Sequence, residues 1–317
     1  MGKFSRVLLA LTAAVLAMAH ANPALMPLND GNHMAQVGMG VHMAAPGQEC
    51  YQSVRWGLEV GYRLIDTADV YQNEADVGRA IVDSGIPRDQ IFITTKLAAG
   101  SHGYQNAMAA TDLSLQKLQT SYVDLLLIHS PYGAKLVETW DAMVELQKQG
   151  KVKSIGVSNF GIQHLEALRE HGRPTPAVNQ IELHPLNYQE RKELVEYCKQ
   201  HNIAITAYGS LFFGFHERYQ DPVLQSVAEK YQKTVPQILL RWGLEIGVAV
   251  IPKSASSKQR LEQNWAILDF ALTPEEVESI SAIKGAPLGA YWDPVRDAGV
   301  DIGDLSHGGS SVTGEEL

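Results

Sequence analysis

The sequence predicts an α/β fold, a parallel (β/α)8 TIM barrel, on three observations. Short apolar segments alternate with amphipathic stretches in regular order from residue 30 onward. The apolar segments show almost no polar alternation, as strands covered on both faces should. There are eight of them, each followed by a helical stretch, the number at which such a parallel barrel closes. A doubly wound sheet is the alternative. It requires a glycine-rich phosphate turn after its first strand, and Gly38-Met39-Gly40 lacks both the third glycine and a following helix.

The expected strands are residues 40–43, 63–65, 91–95, 123–128, 154–157, 177–181, 203–207 and 248–251. A helix is expected to open at Asn73, a residue type that caps helix N-termini. Val77, Ala80 and Ile81 share its inner face and Gly85 lies past its end. Met108, Thr111, Leu115 and Leu118 share a face of the next, as do Leu136, Trp140 and Met143 ahead of Gly150. Pro236 after Thr234 fits a first helical turn, and Thr273-Pro274-Glu275-Glu276 reads as a capping box. From Pro287 periodicity is lost, which predicts a C-terminal loop crossing the carboxyl face of the strands.

The ends are of different material. Lys3 and Arg6 precede an apolar run from Val7 to Met18, and Ala19-His20-Ala21 reads as a cleavage site. The expected division is a signal peptide at 1–21, the barrel at 22–300 and a flexible polar tail at 301–317. That places the chain in the secretory pathway, secreted or in the endoplasmic reticulum lumen, or in the cytoplasm if the leader is not used. The final Glu316-Leu317 matches only the last two residues of a KDEL-type signal. Two cysteines, Cys50 and Cys198, stand on separate expected helices and read as buried thiols rather than a disulfide. A net charge of −9 argues against nucleic acid and anionic membranes as partners, and no stable membrane insertion is expected once the leader is removed. A monomer acting on a small molecule is the expectation.

Polar residues close these strands, on the face where barrel enzymes keep their chemistry. Leu64-Ile65 runs into Asp66, with Tyr71 five residues on. Thr94-Thr95 runs into Lys96, and Leu127-Ile128 into His129. A tyrosine is a poor acid near neutrality. An adjacent ammonium favours the phenolate and improves Tyr71 as a proton donor, while Asp66 balances the lysine in a partly buried pocket. His129 can hold a substrate oxygen. Such a set protonates a carbonyl oxygen but contains no reductant, so a hydride carrier must bind beside it. Two other readings are a nucleotide-binding regulatory protein on the same barrel without turnover, and a sugar hydrolase. The hydrolase would need two opposed carboxylates at strand ends, where Asp66 stands nearly alone.

These segments carry a family resemblance. Gly61-Tyr62-Arg63-Leu64-Ile65-Asp66-Thr67-Ala68 with Tyr71, the strand-ending Lys96, Leu127-Ile128-His129, Gly156-Val157-Ser158-Asn159-Phe160 and Ile251-Pro252-Lys253-Ser254 occur in one order. After residue 30 the chain resembles the aldo-keto reductase family, most closely its microbial 2,5-diketo-gluconate reductase branch. The resemblance implies NADPH-dependent reduction of an aldehyde or ketone without a metal. It implies Asp66, Tyr71, Lys96 and His129 as the catalytic tetrad. It also implies Ser158, Asn159 and Gln180 on the carboxamide, Tyr208 under the nicotinamide ring, Lys253, Ser254 and Arg260 on the 2′-phosphate, and Asn264 on the adenine. Lys253, Lys258 and Arg260 form a basic cluster in an acidic chain, which independently suits a phosphate. The segment from Lys253 to Asn264 is one residue longer than the family's usual spacing, and Gln263 replaces a frequent Glu. Ser130 stands where Trp is common after the histidine, and Val41-His42 replaces a frequent Thr-Trp. His42 is expected to bind substrate with His129, and Tyr104, Tyr132, Phe212 and Trp292 are further pocket-wall candidates.

Overall fold

The structure, a computed structural model, describes residues 24–285 and 293–296. The expected signal peptide, Trp292 and the polar tail at 301–317 lie outside the described residues. Among the described residues no helix is long and apolar enough to cross a membrane.

The chain enters as an antiparallel hairpin, β1 (Leu25–Pro27) and β2 (His33–Ala35), turned at Asn29-Asp30-Gly31 with Gly31 at φ 88°. The sequence reading had no element here. The hairpin closes the amino end of the barrel. Asn32 donates to Lys153 O and Ser154 Oγ, and Leu28, Met34 and Ala35 pack beneath the barrel interior.

Eight parallel strands follow: β3 (Met39–Gly40), β4 (Leu64–Asp66), β5 (Phe92–Leu97), β6 (Val123–Ile128), β7 (Val152–Ser158), β8 (Val178–Glu182), β9 (Ala204–Tyr208) and β10 (Ala249–Val250). They pair in sequence order from β3 to β10. Single bridges from Val37 to Val250 and from Gly40 to Lys253 join the last strand to the first. All eight expected strands are present within a few residues of their expected bounds. The largest shift is at the first, expected at 40–43. Its ladder stops at Gly40 because the chain turns at Met43, which adopts a left-handed φ of 58°, and Ala44 N returns to Val41 O.

The helices between strands are α1 (Gln48–Val60), α2 (Glu74–Ser84), α3 (Tyr104–Lys117), α4 (Leu136–Lys148), α5 (Ile162–Glu170), α6 (Pro185–Gln200), α7 (Pro222–Tyr231) and α8 (Val235–Glu245). Two more, α9 (Lys258–Trp265) and α10 (Pro274–Ser281), follow β10. Thr273 accepts from the backbone N–H of Glu276, which makes the expected capping box; Pro236 stands in the first turn of α8 as expected, and Thr234 caps that helix by accepting from Gln237 N. Cys50 on α1 and Cys198 on α6 are free and buried, and burial pushes both thiols up to about 12.

Two apolar layers explain why the strands lack polar alternation. Leu64, Leu125, Leu127, Val178, Ala249 and Ile251 fill the barrel interior. Their alternates Ile65, Ile93, Leu126, Ile128, Val157 and Ile205 pack outward against the helices. This parity fixes the site. Two residues beyond the inward Leu64 comes Asp66, beyond Leu127 comes His129, beyond Val178 comes Gln180, and beyond Ile251 comes Lys253.

The described part of the C-terminal loop docks near the carboxyl ends of β7 and β8. Asp293 Oδ1 accepts from Arg191 Nη2 of α6 at 2.5 Å, and Gln163 Nε2 of α5 donates to Val295 O at 3.2 Å. The fit at Gly161 is close enough that an added Cβ would lie 2.1 Å from Val295 O.

Candidate active site

Strand register puts Lys96 inside the barrel with its side chain 0% exposed. Lys96 Nζ donates to Asp66 Oδ1 at 2.5 Å, to Thr67 O at 2.8 Å and to Tyr71 Oη at 3.4 Å. Burial pulls the lysine pKa down, and Asp66 opposes that shift most strongly. The other oxygen of Asp66 accepts from Gln180 Nε2 at 2.7 Å. One carboxylate therefore holds the ammonium on one side and the carboxamide cluster on the other.

Tyr71 comes in on a 3-10 turn, Asp69–Tyr71, rather than in an irregular loop. Its ring meets His129 edge-on, with centroids 5.7 Å apart, and lies 4.8 Å from the His42 ring. Burial, reinforced by the Lys96 charge, lowers His129 to about 3; the same two causes lower His42. Both imidazoles are therefore neutral at neutral pH, and each has a single N–H to offer a carbonyl oxygen.

Asn73 takes the N-cap position of α2, and Gly85 closes the helix at φ 69°, as expected from sequence. Its side chain makes no cap bond. It accepts from Thr67 Oγ1 at 2.8 Å and donates to Val41 O and Ala44 O at 3.0 and 3.2 Å. Those two carbonyls flank His42, so Asn73 ties the loop bearing His42 to the segment bearing Tyr71. Sequence reading missed this use because the partners are remote backbone groups, and a capping role satisfies the same residue type locally.

The expected carboxamide residues form one network. Ser158 Oγ donates to Gln180 O at 2.8 Å, and Asn159 Nδ2 to His129 O at 2.9 Å. Tyr208 Oη donates to Asn159 Oδ1 at 2.7 Å, and burial raises that phenol well above its ordinary value. Asn159 sits at φ 63°, a left-handed conformation that asparagine tolerates better than most residues. The cluster and the tetrad are thus joined twice, through Gln180 to Asp66 and through Asn159 to His129.

The basic cluster divides in two. Lys258 Nζ is paired with Glu59 Oε2 at 2.8 Å, whereas Lys253 and Arg260, both exposed, have no acidic partner within ion-pair distance among the described residues. The α9 N-terminus lies between them, capped by Ser257. Ser254 is buried and donates to Ser257 O at 3.1 Å, and Asn264 is buried on α9. Two unpaired cations beside a helix N-terminus fit a phosphate.

One expected wall residue is misplaced. Phe212 is fully buried in a secondary core, edge-on to His184. Its neighbour Phe213 is exposed and lies edge-on to Tyr208 at 6.3 Å. Both phenylalanines adopt left-handed backbone, so the chain curls inward at one and outward at the next. Alternation along a strand cannot forecast that.

The sequence pattern of the "Aldo/keto reductase family" matches residues 38–284. The chain is 43% identical over 258 residues to a 9,11-endoperoxide prostaglandin H2 reductase of Trypanosoma cruzi, covering 81% of this chain and 90% of that one. It is 42% identical to a glyoxal reductase of Bacillus subtilis, covering 81% and 91%. A crystal structure of a Bombyx mori aldo-keto reductase in complex with NADP superposes with a TM-score of 0.76 at 38% identity, covering 82% of this chain and 92% of that one. These relatives carry different substrate names and single out no one branch. With the match running from the first barrel strand to the last helix, the chain belongs to the aldo/keto reductase family of oxidoreductases.

Proposed function

We propose that the protein reduces an aldehyde or ketone to the alcohol with NADPH. The observation that carries this reading is the buried Lys96 ammonium, held by Asp66 and directed at the Tyr71 hydroxyl. The relatives named as reductases, and the NADP complex of the Bombyx mori protein, support the reaction class and the cofactor. NADPH, when bound, supplies the hydride.

The chain's own residues supply the proton and the geometry. His129, neutral and fixed through its carbonyl by Asn159, donates its N–H to the substrate oxygen and sets its direction. Tyr71 gives up its phenolic proton to that oxygen as negative charge develops. The resulting phenolate is stabilised by Lys96, whose charge survives burial because Asp66 and Thr67 O hold it. His42 forms the opposite wall against Tyr71. Ser158, Asn159 and Gln180 would orient the carboxamide of bound NADPH, and Tyr208 would support its ring. Lys253, Ser254 and Arg260 would hold the 2′-phosphate, and Asn264 the adenine.

Lys253→Ala and Arg260→Ala are each expected to raise the NADPH dissociation constant by about ten- to a hundredfold, the range for a lost charge-assisted hydrogen bond. NADH, which lacks the phosphate, should change by less than about threefold on the same scale. Fluorescence titration with both nucleotides reads the difference, and equal losses for the two would place the phosphate elsewhere.

A further inference from the structure

His102 lies between β5 and α3, at the carboxyl face of the barrel, and has no part in the proton transfer. It is 5% exposed. Burial lowers its pKa to about 4, so the ring is neutral and has a single N–H. The ring faces the backbone carbonyls of Ala134, Gly133 and Leu97, yet neither nitrogen makes a hydrogen bond of ordinary geometry among the described residues. A buried imidazole left in this state costs free energy that a leucine in its place would not. Such a group beside a reactive centre calls for a reason.

Its surroundings connect the two groups that meet the carbonyl. Leu97 O, one of the carbonyls it faces, accepts from His129 N at 3.0 Å. Gly133, at φ 108° toward the far end of the loop 129–135, lies so close to the imidazole that an added Cβ would be 2.6 Å from Nδ1. His102 therefore stands between the two ends of the loop that begins with His129. On the other side, Asp69 Oδ2, from the turn bearing Tyr71, accepts from Ser101 Oγ at 3.0 Å and from Ala98 N at 3.3 Å. Gly103 N donates to Thr139 Oγ1 at 2.7 Å. The segment 98–103 is thus fastened on both sides of His102, which gives the imidazole a fixed base from which to hold the next loop.

We infer that His102 is a positioning residue for the reduction: its N–H closes on the carbonyl of Gly133 or Ala134 and holds the loop that begins with His129, which fixes the direction of the His129 N–H at the substrate oxygen. The inference rests on the reductase reading and deepens it. Hydrogen bonds around an active site are often long or poorly aligned until substrate binds, which accounts for an N–H that faces several carbonyls and is bonded to none. The leverage is large, because misplacing an orienting group by about 1 Å costs about a hundredfold in rate.

The test is a double-substitution cycle read as kcat/KM for heptanal in the NADPH-loaded protein. His102→Leu, which removes the N–H at similar volume, should lower kcat/KM by about tenfold to a hundredfold. Its NADPH dissociation constant should stay within about twofold, which also shows that the variant folds. His102→Gln, which retains an N–H donor, should keep kcat/KM within about threefold of the unsubstituted protein. In a His129→Gln background, His102→Leu should cost less than about twofold, because the group it positions is gone. A residue that only supports the fold would cost the same in both backgrounds. Equal losses in the two backgrounds, a His102→Leu variant as active as the unsubstituted protein, a His102→Gln variant as impaired as His102→Leu, or loss of NADPH binding together with turnover each overturns the proposal and leaves the reductase reading in place. Absence of turnover by the unsubstituted protein overturns both.

Discussion

Tyr71→Phe is expected to lower kcat for aldehyde reduction by about 10²- to 10⁴-fold, the span that a positioned general acid contributes. The phenyl ring keeps its packing against His42 and His129, so the pocket is preserved and only the proton is lost. NADPH should still quench tryptophan fluorescence with its dissociation constant within about twofold, because the cofactor-binding residues proposed here do not include Tyr71. Stopped-flow turnover beside a fluorescence titration separates the two. A variant that still turns over at a comparable rate would remove Tyr71 as the acid.

Asp66→Asn is expected to destabilise the fold by about 3–5 kcal/mol, as when one partner of a buried ion pair is removed. Lys96 would keep Thr67 O and the Tyr71 hydroxyl but would have no anion within hydrogen-bond distance in a fully buried site. Gln180 would still find an oxygen on the new side chain, so the loss falls on Lys96, which gives up both its anion and one hydrogen-bond acceptor. Urea unfolding should show a lower midpoint with an unchanged m-value. Turnover should fall as well, since an ammonium without its carboxylate gives up its proton more readily in a buried site and no longer stabilises a phenolate. A midpoint within error of the unsubstituted protein would mean that the pair adds nothing beyond what two isolated groups would.

The barrel was legible because its strands are apolar on both faces and end in polar residues. The parity that sends Leu64 and Leu127 inward also sends Asp66 and His129 inward at the top. Tertiary geometry was needed wherever a side chain had two ways to be satisfied. Asn73 reads as a cap and instead fastens two distant carbonyls beside His42. Lys258 reads as one of three phosphate cations and is neutralised by Glu59, far away in sequence on α1. The exchange between Phe212 and Phe213 depends on two consecutive left-handed residues, which bulky aromatic side chains give no reason to expect. The hairpin at the amino end was within reach, since Asn29-Asp30-Gly31 is a turn signal between apolar residues. Its strands of three residues each are too short for periodicity to show.

We propose in this barrel a coupling of proton donation by Tyr71 to hydride transfer from NADPH. It is tested most directly by mixing the purified chain with limiting NADPH and excess heptanal, then measuring nucleotide oxidation and alcohol formation together. One alcohol formed per NADPH oxidised is the expected result. NADPH that binds tightly and stays reduced in the presence of every aldehyde offered would contradict the claim, and would leave a nucleotide-binding barrel without turnover.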